Sequence, residues 1–339
     1  MKTIVSVQDL IELEIKPDVL LAEFYALTAK AVDETLVVEA SLHVACPGCG
    51  SPQASPAFKK SGLAYQQCGN CASLYVSPRP SQAALTDYYR NSRPARFWRE
   101  HILPVTEAVR LEKIVQPRAM WVLDALAEAG FKTACGLDLS SHGRALVDEI
   151  LQAGSVVQHV TAAHPLAEKD FSPLPEKVDL KPRPLGEVEA LGPVDFVTAF
   201  DVLDRCADAA ALVRGVLGVL HPGGLLFIVA PCISGFELQV LWERARSIMP
   251  PDKLNLLSVE GFTSLFPVPQ WEICEFSTPG MLDVQNVIRC IRENPDADWP
   301  RFIRYMLTKR DENARMAFQE FLQAHRLSSF ARLVVRKIA

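Results

Sequence analysis

Nine cysteines occur in the sequence, and four of them are grouped as Cys46-Pro-Gly-Cys49 and Cys68-Gly-Asn-Cys71. Two C-x-x-C knuckles let four thiolates converge on one ion. Pro47, Gly48 and Gly69 supply the tight turns, and four sulfur ligands make the closed tetrahedral site that Zn²⁺ favours. Such a site leaves no open position for water, so the expected role is structural: the ion staples a module too small to fold on its own core. Unligated loop thiols and a redox pair are the competing accounts, and two spaced knuckles match a zinc ribbon better than either.

A second group of chemical residues stands at the ends of apolar runs. Asp138 closes the run that begins near Thr133, and Asp201 closes Val194 to Phe200, with Asp204 and Arg205 just beyond. The stretch from Val194 to Pro231 reads as strand, helix, a Pro222-Gly223-Gly224 turn, and a second strand over Leu225 to Ala230. Two nearly uninterrupted apolar strands joined through a helix imply parallel neighbours buried on both faces. The expected fold is therefore α/β, an open doubly wound sheet, and such sheets bind ligands at the carboxyl ends of their strands.

At 339 residues, 49% hydrophobic and 22% charged, the chain can bury one large core and a smaller module. A formal net charge of -5 argues against nucleic-acid partners, which require a basic surface to displace counterions. Asp9, Glu12, Glu14 and Lys16 interrupt the N-terminal apolar residues, and nowhere is there a span of about twenty apolar residues, so neither a secretory leader nor a membrane span is expected. The cysteines then belong in a reducing cytoplasm, where close pairs are more often metal ligands than disulfides.

Several stretches carry a family resemblance. DFVTAFDVLDR with LVRGVLGVLHPGGLLFIVAP resembles the fourth and fifth strands of class I S-adenosylmethionine (SAM)-dependent methyltransferases. The order of the two knuckles, Val76-Ser-Pro-Arg-Pro-Ser81, Tyr88-Tyr89 and Phe97-Trp98 resembles a bacterial subgroup with an N-terminal zinc ribbon. Pro250-Pro-Asp-Lys-Leu-Asn-Leu-Leu257 and Thr278-Pro-Gly-Met-Leu-Asp-Val284 are similar to two further signatures of that subgroup. The resemblance implies a Rossmann-like sheet of the class I methyltransferase type with an N-terminal zinc-ribbon module and a helical cap. It divides the chain into a helical segment (1–45), the ribbon (46–80), a cap or linker (81–130) and the Rossmann-like domain (131–339). It also implies SAM as cofactor, held by Asp138, Ser140, Gly143, Thr161 and Asp201, and methyl transfer to a small-molecule or saccharide-like acceptor. No residue is assigned as catalytic.

The chain departs from the family pattern at definable places. Ser140, Ser141 and His142 replace two of the three usual glycines of the first turn, where a side chain at His142 competes with the cofactor for space. The second strand should end in a carboxylate for the ribose hydroxyls, yet the sequence reads Thr161-Ala-Ala-His164, leaving Thr161 or His164 as substitutes with one acceptor each. Asp204-Arg205 stands where Glu-His is common, and Lys253 replaces a histidine. Arginine is no base at neutral pH, and Asp204 paired with Arg205 at the surface is one account of the pair. The rival to an enzyme is a catalytically silent scaffold that keeps the fold and the ribbon but has lost SAM. Tyr88, Tyr89, Phe97 and Trp98 fit either a cleft cap or simple packing between modules.

Overall fold

The computed structural model describes residues 12–140 and 144–338. Ser141, His142 and Gly143, all singled out in the first Rossmann-type turn, lie outside the described residues.

Three strands follow the first knuckle or flank the second: β1 (Ala54–Lys60), β2 (Leu63–Cys68) and β3 (Leu74–Val76). The parallel series is β4 (Ala134–Asp138), β5 (Val157–Ala162), β6 (Val178–Leu180), β7 (Val194–Phe200) and β8 (Leu220–Pro231), followed by β9 (Asn255–Leu256), β10 (Trp271–Ser277) and β11 (Phe330–Lys337). Seven strands form one sheet in the order β10-β11-β8-β7-β4-β5-β6. The β6 to β8 side is parallel, while β11 inserts antiparallel between β8 and β10. This is the doubly wound sheet expected from the sequence.

Alternate residues of the central strands feed two cores. Leu137, Val197, Leu226 and Ile228 pack on one face beneath the helices Ala209–Val219 and Val259–Leu265. Phe196, Phe200, Leu225 and Phe227 pack on the other, under Gln116–Glu128 and Arg144–Ala153. Leu225 to Ala230 are each at most 2% exposed, which explains why this strand reads as one continuous apolar run. At Gly136 in β4 the close approach is real: an added Cβ would sit 2.2 Å from Cζ of Phe196. The Pro222-Gly223-Gly224 turn is absorbed into β8 as an irregularity. Val194 pairs with Leu220 and Phe196 with Leu225, and Gly223 takes φ +81° to let the extra residues loop out.

The amphipathic pattern of Phe236 to Ile248 predicts one helix, but the helix stops at Leu241, followed by a single tight turn, Trp242–Arg244. Trp242 adopts φ +50° and packs edge-on to Phe58 of β1, and Lys60 Nζ takes the carbonyls of Glu243 and Ala245, so the ribbon captures the backbone that would have continued the helix. In the helical pattern of 105–129 the sequence predicts a break around Pro117, and the irregularity there is a wider helical turn, Leu111–Val115, from which Gln116–Glu128 continues without leaving helical backbone. Among the described residues no helix is long and apolar enough to cross a membrane.

Candidate functional site

The four ribbon cysteines converge. Sγ of Cys46 lies 3.5 Å from Sγ of Cys71, and Sγ of Cys49 lies 3.6 Å from Sγ of Cys68, with all four sulfurs within 4.8 Å of one another. Tetrahedral Zn–S bonds of about 2.3 Å require sulfurs roughly 3.8 Å apart, so the donor set and its spacing fit one zinc ion.

The ribbon is bound into the rest of the chain by β9, which comes from the PPDKLNLL segment. Leu74 pairs with Leu256 and Tyr75 with Asn255, which completes a four-stranded sheet β1-β2-β3-β9. Gly48 of the first knuckle lies against the backbone of Gly261, and the Ser258 hydroxyl donates to the carbonyl of Cys71. Arg79, 2% exposed, donates to Val76 O, Ala207 O and Asn255 Oδ1, while Asn255 Nδ2 donates to the carbonyls of Leu203 and Cys206.

That last pair of carbonyls belongs to the turn after β7, at the carboxyl edge of the large sheet. Asp138 ends β4 fully buried. Its Oδ1 accepts from Thr198 Oγ1 at 2.7 Å and from Ser140 N at 3.3 Å, and its Oδ2 has no partner among the described residues. Burial pushes the Asp138 carboxyl up to about 6, against the lowering effect of those hydrogen bonds. The Ser140 hydroxyl accepts from Phe200 N, at the end of β7, at 3.0 Å. Thr161 stands one residue short of the end of β5, paired with Leu137 and Asp179. Ala162 and Ala163 at the strand end are buried and carry no side-chain acceptor.

Next comes His164, 1% exposed, with an unpartnered Nε2 that lies 3.9 Å from Oδ2 of Asp170, itself unpartnered. Burial lowers the imidazole to about 4 and raises the Asp170 carboxyl to about 6.

On the β7 side, Asp201 holds φ +55° and pairs with Arg118 at 3.3 Å. Burial alone would raise its carboxyl, but Arg118, Arg205 and Lys253 bring it below the usual range. Asp204 is not a surface partner of Arg205: it is 0% exposed and pairs with Lys253, while Arg205 faces Asp252 at 4.0 Å. The substitutions at 205 and 253 therefore form two crossed ion pairs between the turn after β7 and the loop before β9. Asp204 Oδ1 and Arg205 Nε remain without hydrogen-bond partners among the described residues.

Helices from the 81–130 stretch close over this edge. Tyr89 Oη donates to Pro251 O, Arg90 Nε to Pro165 O, and Gln82 Nε2 to Leu185 O. Tyr88 and Tyr89 meet edge to face at 5.5 Å, and Phe24 meets Trp98 at 5.0 Å, so these aromatics do pack between segments. Sequence reasoning missed Asp170 and Arg118. Asp170 lies in a proline-rich connection with no periodic signal, and Arg118 lies on a helix whose spacing bears no relation to Asp201.

Residues 119–269 match the family model described as a methyltransferase domain. The matched stretch, which resembles a methyltransferase domain, holds β4 to β9. No curated protein matches the chain. Among solved structures, the plantazolicin methyltransferase BpumL in complex with SAH is 12% identical, with TM-score 0.46, covering 76% of this chain and 95% of that one. A putative sarcosine dimethylglycine methyltransferase from Galdieria sulphuraria is 16% identical, with TM-score 0.43, covering 66% and 86%. These similarities carry no function over to this chain.

Proposed function

We propose that this chain is a SAM-dependent methyltransferase acting on a small-molecule or saccharide-like acceptor in the crevice at the carboxyl ends of β4 and β7, with the four-cysteine cluster holding a structural zinc ion. The observation that carries the reading is a concentration of unsatisfied buried groups: Asp138 Oδ2, His164 Nε2, Asp170 Oδ2, Asp204 Oδ1 and Arg205 Nε all lie along this one edge. Each such group left unpaired costs about 1–3 kcal/mol, so their clustering supports a polar ligand at that edge.

When bound, SAM supplies a methyl group on an electrophilic sulfonium. The chain's contribution is then mainly positioning, which by itself lowers a bimolecular barrier substantially. Asp138 and Asp201, at the ends of neighbouring strands, would hold the cofactor's polar groups. Asp204, Arg205 and Lys253, on the side of the 250–253 loop, would face the acceptor. Thiolate ligands need a reducing compartment, which supports the cytoplasm, and the net charge of -5 supports a partner other than nucleic acid. The division at residues 45, 80 and 130 stands as a proposal, with β9 as the strand by which the last part enters the ribbon.

One observation favours a silent scaffold instead: Ala162 and Ala163 occupy the strand end where a ribose acceptor is expected. Titration calorimetry with SAM and SAH on zinc-loaded protein separates the two. Binding below about 1 mM, lost in Asp138→Ala, supports the enzyme, and no binding to correctly folded protein removes it.

A further inference from the structure

The helix Arg301–Lys309 shows two chemically different faces. Leu307, 1% exposed, and the half-buried Ile303 and Met306 pack inward on the core that holds Trp299 and Leu322. At about 100° per residue, the opposite arc carries Arg304, Thr308, Arg301, Tyr305, Lys309 and Phe302 in that order. These six side chains bound a surface depression of about 480 Å³. The arc holds three cations, two aromatic rings and no carboxylate.

Neither kind of side chain is used inside the fold. Phe302 is 67% exposed and Tyr305 56%. The charged groups of Arg301, Arg304 and Lys309 make no ion pair or hydrogen bond among the described residues, whereas Arg315 on the next helix has Glu312 at 3.6 Å. A run of solvated charge is ordinary on a helix. Exposed rings set among unpaired cations mark a contact surface, because arginine and aromatic side chains are the ones enriched where proteins meet.

The cations fix the sign of the partner, and their surroundings fix its shape. Exposed Asp296 and Asp298 precede the helix, and exposed Asp311 and Glu312 follow it. Nine helical residues span about 13.5 Å, so a broad anionic plane such as a bilayer or a nucleic-acid duplex would overrun both ends and meet those carboxylates. Such a plane would also feel the net charge of -5. A narrow acidic ridge laid along the arc meets cations alone. An amphipathic helix supplies that ridge, because its own side chains recur at the i, i+3, i+4 spacing that sets Arg301, Arg304 and Tyr305 side by side.

We propose that the outer face of Arg301–Lys309 docks an acidic amphipathic helix of a partner protein, with the partner's carboxylates on Arg301, Arg304 and Lys309 and its apolar residues on Phe302 and Tyr305. The face lies outside residues 119–269, so the proposal stands apart from the methyltransferase reading.

The test is fluorescence anisotropy of a labelled helical peptide of glutamate and leucine, about 16 residues long to cover the arc, titrated with full-length zinc-loaded protein. Wild-type protein is expected to bind it with a Kd below about 100 μM and to lose about fivefold in affinity between roughly 50 and 200 mM salt. The double variant Arg301→Glu, Arg304→Glu is expected to bind about tenfold more weakly and to prefer a peptide with lysine in place of glutamate. Phe302→Ala leaves the charges alone and is expected to lose about fivefold. All three residues are exposed, so thermal midpoints should match the wild type, and Arg301→Gln with Arg304→Gln carries the test if the charge reversal does not fold. Absence of peptide binding by wild type overturns the proposal, as does equal binding by the double variant. Tighter binding to vesicles of phosphatidylcholine and phosphatidylglycerol, or to a thymidine oligonucleotide, also overturns it and assigns the face to that anion instead.

Discussion

Arg79 Nη1 donates to Asn255 Oδ1 at 3.0 Å, and through that amide a residue just past the ribbon is joined to the turn after β7. Neither residue touches the cysteines or the end of β4, yet the pair lies between them. Asn255 uses both ends of its amide: its oxygen takes the buried guanidinium, and its nitrogen serves two carbonyls that no strand satisfies. Replacing it by Ala takes the amide partner from Cys206 O, leaves Leu203 O with only the weak Cys206 Sγ donor, and leaves Arg79 Nη1 with Ala207 O alone, all in a buried place. The expected loss is about 2–4 kcal/mol, read as a lower urea midpoint, with faster amide exchange over 203–206. Arg79→Lys keeps the charge but cannot reach Val76 O, Ala207 O and Asn255 Oδ1 together, so it should recover less than half of the loss shown by Arg79→Met.

Gly48 carries the second connection between ribbon and domain. A Cβ there would stand 2.9 Å from the Gly261 Cα and 3.1 Å from its carbonyl oxygen, which is backbone that cannot rotate aside. Gly48→Ala should therefore cost about 1–3 kcal/mol by overpacking. Metal stoichiometry should not change, because the thiols themselves are not displaced. Gly50, at φ +72° with open space around it, makes the control: Ala there meets no atom and pays only backbone strain.

Much of this arrangement was legible in the sequence, for physical reasons that also mark where legibility stops. Continuous apolar runs gave β7 and the core of β8, and the spacing of Cys46, Cys49, Cys68 and Cys71 gave the cluster, because each is a local pattern. β9 has only Asn255 and Leu256, too short for any period, and its partner β3 lies far away in sequence. Trp242 looks like one more helical residue until Phe58 is known to be beside it. The crossed pairing of Asp204 with Lys253 and Arg205 with Asp252 follows from the path of the 250–253 loop, and adjacency of Asp204 and Arg205 in sequence pointed the wrong way. Asp138 and Asp201 were visible because strand ends are where open sheets place their chemistry, whereas Asp170 had only a short irregular connection around it.

Removal of the metal should act beyond the knuckles. With a strong chelator under reducing conditions, one equivalent of zinc is expected to leave. Amide protection should then fall over β1, β2 and β3, at Asn255–Leu256, and next over the 203–206 turn that Asn255 supports. The buried strands β4, β7 and β8 have two apolar faces of their own and should keep their protection. Hydrogen exchange followed by mass spectrometry reads this directly, and Cys46→Ser should reproduce the pattern without chelator. Loss of protection confined to β1 and β2 would show that β9 does not transmit the change.

Glu237 gives the clearest dependence of stability on pH. It is 7% exposed, accepts from Ser247 Oγ and Asn286 Nδ2 at 2.7 Å each, and lies near Asp283. Burial first, and the Asp283 charge second, raise its carboxyl from the ordinary 4.5 to about 7, while the two hydrogen bonds oppose the shift. The folded state then holds a proton that the unfolded state has released between those two values, so stability falls as pH rises through the window, by up to about 1.4 kcal/mol per pH unit. Asp138 and Asp170, both raised to about 6 by burial, act in the same direction between their ordinary values and 6. His164, lowered to about 4, acts in the opposite one, because the unfolded imidazole gains a proton below 6.5 that the buried one refuses. Glu237→Gln removes only the first contribution. Urea midpoints taken from pH 4.5 to 7 should decline less steeply in the variant than in the wild type, with the two curves farthest apart at pH 7. Parallel curves would mean that the Glu237 carboxyl ionises in the folded protein as it does in water.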